Sequence, residues 1–125
     1  MTIRIVNVRD LLVPHGKGKR AVFPDESYVW VGRQNGRWGL RCSPLHNPFR
    51  VGKSPWNGAS FLLTRTEAVA LYRMYFRDRG GSEEEELDRL RSLYQKHGRL
   101  TLVCACAPKP CHAEEIRRVL LEGLT

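Results

Sequence analysis

The stretch "LTLVCACAPKPCHAEEIRRVLLEGL", residues 100–124, decides how this chain is read. From Leu100 to Cys106 it is continuously apolar or small, the pattern of a strand buried on both faces of a parallel sheet. From His112 onward, Ile116, Val119, Leu120 and Leu124 recur at helical spacing with charged residues between them. Pro108 and Pro110 restrict the connection and turn the chain sharply from one element into the other. Strand, tight loop and amphipathic helix in this order predict an α/β fold.

Upstream of that unit the pattern is also helical. Thr64 and Glu67 form a capping box ahead of Ala68, Leu71, Tyr72 and Tyr75, which predicts a helix ending near Arg79-Gly80-Gly81. Ser82 and Glu85 repeat the device before Leu87, Leu90, Leu93 and Tyr94. There the run Glu83 to Glu86 reads as a solvated helix start that complements the dipole, and Gly98 as the stop. In the first half, "IRIVNV" at 3–8 and "YVWVGR" at 28–33 read as strands. Residues 11–27 read as a loop carrying Lys17, Lys19 and Arg20, and Asn35-Gly36 allows a hairpin into "RWGLRC" at 37–42. From Cys42 to about Ser60, three prolines and two glycines mark a long loop of the kind that often carries function. The expected fold is one small α/β domain over residues 1–125, its partly parallel sheet flanked by helices, Rossmann-like in outline. Ligands of such sheets bind outside the carboxyl ends of the strands.

The net charge is +8, and its excess lies in the first half: residues 1–66 hold 11 Lys or Arg against 3 Asp or Glu, whereas residues 67–125 hold 10 of each. Sixteen of the 21 basic residues are arginine, whose planar fork suits phosphate and stacks on bases. A nucleotide or nucleic-acid partner follows, with Lys17, Lys19, Arg20, Arg33, Arg37 and Arg41 as its contacts. A GC-rich coding sequence would enrich arginine as well, so the two readings stand side by side. No window approaches the ~20 apolar residues of a membrane span, and Arg4 and Arg9 interrupt the N-terminal segment. The expected setting is cytoplasmic, without a membrane partner, where clustered thiols stay reduced and serve metal binding or thiol chemistry.

Cys104, Cys106, Cys111 and His112 place four soft or borderline donors within nine residues. They match a Cys3His zinc set, although C-x-C-x4-C-H is not the usual knuckle spacing. On a strand, Cys104 and Cys106 would share one face with Cα atoms about 6 to 7 Å apart. The other reading gives the cysteines unequal jobs. Cys104 and Cys106 fill a buried strand, while Cys111, at a helix N-terminus near Lys109 and His112, is the activated thiol. The same helix end could hold a phosphate or carboxylate. Arg33, at the end of the second strand, and Lys109 form the candidate anion clamp, and Asn47, in the long loop, is the candidate polar contact. Gly32 reads as backbone geometry and Phe49 as a loop anchor.

"RIVNVR", "VWVGR", "SPLHNPF", "TRTEAVALYRMYF" and "LVCACAPKPCH" together resemble a domain of unknown function found in small proteins of bacteria and their phages. Its members look like "VVNLR", "VYVGR", "SKWGNPF" and "CWCAPKPCHGD" in the same order. The resemblance spans nearly the whole chain and implies a domain and a site rather than a settled reaction. His46 stands where those proteins have glycine, and "CHAE" replaces "CHGD", so Glu114 would take the part of their acidic residue. The ending is also similar to the Cys-Pro-Cys-His-Arg close of another uncharacterised family, with Ala113 at the arginine position.

The functional expectation is a nucleotide- or nucleic-acid-component-binding protein, with Cys111 as a nucleophile or redox thiol and His112 as an acid/base or orienting group. Its alternatives are a non-catalytic module with zinc on Cys104, Cys106, Cys111 and His112, or a phage-type accessory protein that blocks a host factor.

Overall fold

Leu100–Cys104 does form a strand, β5, and every residue of it is buried. The computed structural model describes residues 2–52, 62–107 and 109–123. In chain order the other elements are β1 (Ile3–Asn7), β2 (Leu12–His15), β3 (Gly18–Ala21), β4 (Tyr28–Trp30), α1 (Arg65–Arg77), α2 (Gly81–His97) and, after β5, α3 (Ala113–Gly123). Strand β5 lies between β1 and β4 and pairs parallel with both: Ile3 faces Leu100, Asn7 faces Cys104, and Trp30 faces Val103. The carboxyl ends of all three strands therefore share one edge.

The sheet's period of two sorts the side chains between two cores. Ile3, Val29, Leu100, Leu102 and Cys104 face a cluster completed by Tyr72 and Phe76 of α1, Leu87 and Leu90 of α2, and Ile116 and Leu120 of α3. Val6, Val103, Tyr28 and Trp30 face the other side, where Val8, Leu12, Ala21, Leu40 and Trp38 cover them. Helices thus close one face and a hairpin with its neighbouring turn closes the other. That is why β5 needs apolar residues without alternation.

The hairpin corrects the expectation of a loop over residues 11–27. Strands β2 and β3 pair antiparallel, with His15 opposite Gly18, leaving Gly16 and Lys17 as a two-residue turn. Gly16 takes φ +59°, the left-handed conformation that a type II′ turn asks of its first central residue. Pro14 is tolerated because a two-stranded ribbon is all edge. The segment 37–42 does not form a strand. Asn35 and Leu40 make a single antiparallel bridge around a 3-10 turn at Gly36–Trp38.

Helix α1 has the full capping box: Thr64 accepts from the Glu67 N–H at 3.2 Å and Glu67 accepts from the Thr64 N–H at 2.9 Å. Helix α2 departs from expectation. Its N-cap is Gly80, so Ser82 lies inside the first turn and caps nothing. Nor is its acid run wholly solvated. Glu83 is buried and accepts from the Tyr75 hydroxyl at 3.0 Å and from Ser82 Oγ at 2.8 Å, tying α2 to α1. Gly98 ends α2 at φ +69°. The expected inner position Leu124 and the loop positions 53–60 lie outside the described residues. No helix among the described residues is long and apolar enough to cross a membrane.

Candidate functional site

Strand β5 stops at Cys104, so Cys106 is not its face-mate but part of the bend that follows. Two bonds shape that bend. The Lys109 N–H donates to the Cys106 carbonyl at 3.0 Å, and the Cys104 sulfur accepts the Ala107 N–H at 3.4 Å. From the end of β1, Asn7 Nδ2 donates to the carbonyls of Ala107 at 2.8 Å and Ala105 at 3.4 Å, pinning the bend to the sheet edge. The chain then returns through Pro110 into α3, which brings Cys111 back against its two predecessors.

Cys111 is buried in the same core cluster as Cys104, and Cys106 packs against that cluster. The neighbouring Cys104 and Cys106 thiols, together with burial, push the pKa of Cys111 far up. Cys106 is half-buried and is pulled down to about 6, first by the Cys111 S–H and then by the charge and hydrogen bond of Arg65. The same donor lowers Cys104 to about 7. One proton cannot serve two thiolates at once, and Cys104 is fully buried in the strand. Arg65 beside it and its partial exposure favour the thiolate form of Cys106 over that of Cys104.

His112 is held on both ring nitrogens. Nε2 donates to the Val31 carbonyl at 2.7 Å, which leaves the Nδ1 lone pair facing Cys111 Sγ at 3.5 Å. The ring meets Tyr72 edge-on at 5.1 Å between centroids, and the Tyr72 hydroxyl in turn donates to the Leu45 carbonyl at 2.8 Å. Burial pushes His112 down to about 4, so near neutral pH it is an uncharged orienting group.

In front of these residues lies a pocket of about 430 Å³, lined among others by Trp30, Arg33, Phe49, Arg65, Cys106 and His112. Its size is that of a small-molecule site. Gly32 forms part of the wall for a reason of space: a Cβ there would meet the Trp30 indole at 2.4 Å. That indole is fixed by its Nε1 donating to the Arg33 carbonyl at 2.8 Å. Arg33 itself donates to the Asn47 carbonyl at 2.6 Å, and burial together with the nearby Arg50 charge lowers its pKa. The Asn47 side chain is already engaged, Nδ2 donating to the Ala68 carbonyl at 3.2 Å and Oδ1 accepting the Phe49 N–H at 2.9 Å. Its work is to shape the loop that holds Arg33. Phe49 packs edge-on against Tyr75, as an anchor would.

Lys109 and Glu114 stand apart from the pocket. Lys109 is exposed, and Glu114 accepts the Cys111 N–H at 3.2 Å, closing the turn into α3. Arg50 and Arg65 are pocket cations that the sequence pattern did not single out. The capping box marks Arg65 as the first residue of a helix, and that was the signal available. Among the described residues, no group of three or more Cys, His, Asp or Glu side chains is arranged to hold a metal ion.

Outside the pocket, Cys42 lies 3.4 Å from His46 Nδ1, which also donates to the Ser43 carbonyl at 2.8 Å. A model of a domain of unknown function, DUF4326, matches residues 15–122, and the chain belongs to that family. No curated protein and no solved structure matches it.

Proposed function

We propose that this member of the DUF4326 family binds a nucleotide or a comparable anionic ligand in the pocket at the carboxyl edge of its sheet, with Cys106 as the reactive group. The observation that carries the reading is the placement of Cys106 with Arg65 inside that pocket, where its pKa is lowered to about 6. Arg33 and Arg50 add positive charge for a phosphate or carboxylate, and Trp30 and Phe49 offer aromatic surface for a base. Cys111 supplies the S–H that stabilises the thiolate, and His112 orients Cys111 without taking charge. The test is alkylation by iodoacetamide, followed by peptide mapping, across pH and with nucleoside monophosphates and diphosphates present. Cys106 should react first, with half-maximal rate near pH 6, and bound nucleotide should protect it. Arg65→Gln should shift the profile to higher pH and abolish protection. Equal alkylation with and without saturating nucleotide overturns the reading.

A second reading has its own observation. Arg9, Lys19, Arg37 and Trp38 line another cavity, of about 380 Å³, beneath the β2–β3 hairpin. Among the described residues, no ion pair engages these cations or Lys17 and Arg20. This surface suits the phosphate backbone of a nucleic acid.

A further inference from the structure

The geometry points to a dithiol activity: Cys106 and Cys111 form an attacking and resolving pair for thiol–disulfide exchange with small anionic disulfides. It uses the same pocket as the function proposed above but needs no nucleotide. Three observations carry it. Cys106 and Cys111 line the same pocket, Cys106 half-buried and Cys111 only 2% exposed, so an entering substrate meets Cys106 first. The Cys106–Lys109 turn, closed at 3.0 Å, and the return through Pro110 bring the two cysteines together although four residues separate them. Arg33, Arg50 and Arg65 around the pocket fit a disulfide that carries carboxylates.

The chemistry balances with the substrate as the only oxidant. The Cys106 thiolate attacks one sulfur of RS–SR, an S–S bond breaks, and RS⁻ leaves as a Cys106–S–SR mixed disulfide forms. The departing thiolate takes the Cys111 proton and leaves as RSH. The Cys111 thiolate, now facing a neutral sulfur, attacks Cys106 Sγ and expels the second RS⁻, which takes a proton from water. The protein is oxidised by two electrons to a Cys106–Cys111 disulfide, and the substrate is reduced to two thiols. In a reducing compartment a reduced thiol pool would return the protein to its starting state.

The experiment uses the reduced full-length chain in chelator-containing buffer, with glutathione disulfide as the probe, acid quenching and intact-mass analysis. The wild-type chain should lose the mass of two hydrogens, and peptide mapping should join Cys106 to Cys111. By peptide mapping, Cys111→Ser should stop with one glutathione on Cys106, Cys106→Ser should gain none at Cys104 or Cys111, and Cys104→Ser should still form the 106–111 bond, whatever the exposed Cys42 takes up. Wild-type protein that stops at the mixed disulfide, joins Cys104 to Cys111, or resists glutathione disulfide overturns the inference, and none of these needs a variant to fold. Nucleotide protection without a 106–111 bond removes the dithiol activity and leaves the ligand site. The bond without protection does the reverse.

Discussion

His112 shows how much of this site rests on single side chains. Its ring is buried against Tyr72 and donates to the Val31 carbonyl, so the folded chain refuses a proton at this position until about pH 4. The unfolded chain accepts that proton near the ordinary value of 6.5. Between those values the unfolded state binds more protons, and stability falls as pH falls through the window, by up to about 3 kcal/mol. Urea unfolding at pH 7, 6, 5 and 4 should show that slope, and His112→Gln should flatten it. A slope unchanged by the substitution would assign it to other groups. The cysteines teach the complementary lesson. Their order along the chain favours Cys111 as the thiolate, whereas burial raises the pKa of Cys111 and Arg65 helps to lower that of Cys106.

At the scale of elements, the two capping patterns make a controlled pair. Thr64 and Glu67 bond reciprocally and start α1 where the pattern says, next to the pocket residue Arg65. Thr64→Ala should cost about 1 kcal/mol in chemical denaturation, since it orphans a helix N–H. Ser82 carries the same signature and caps nothing, because Gly80 and Gly81 let α2 begin earlier. Ser82→Ala should therefore stay within about 0.5 kcal/mol of wild type. Equal losses at the two sites would show that the caps contribute alike. Identical S/T-x-x-E spacing thus gives different outcomes, decided by how α2 packs through the buried Glu83 onto Tyr75 of α1.

Over the whole molecule, the basic residues of the first half separate by place. Lys19 and Arg37 line the cavity under the hairpin, Arg33 lines the thiol pocket, and Arg41 lines a third cavity with Glu26 and Glu86. If the hairpin surface meets nucleic acid, binding of a single-stranded oligonucleotide should weaken steeply with salt, the logarithmic slope being about 0.7 for each phosphate that the protein neutralises. The Lys19→Ala, Arg37→Ala double variant should reduce that slope by about 1.4, while Arg33→Ala should leave it unchanged. A flat salt dependence in the wild-type chain would assign the arginine excess to coding composition.

Strand β5, the two long helices, the stop at Gly98 and the strand-loop-helix unit that carries the cysteines were legible in the chain alone, because each rests on local periodicity, caps and turn residues. The hairpin at residues 12–21 was hidden because prolines and lysines tolerated on an edge ribbon read as loop. Identity and spacing placed three thiols and a histidine at one sheet edge, where parallel α/β folds gather ligands. Which thiol ionises, that His112 stays neutral, and that Arg65 and Arg50 join the pocket depended on residues distant in the chain. Desolvation and Coulomb forces act through space and fall off over a few ångströms. Only the folded arrangement sets those distances.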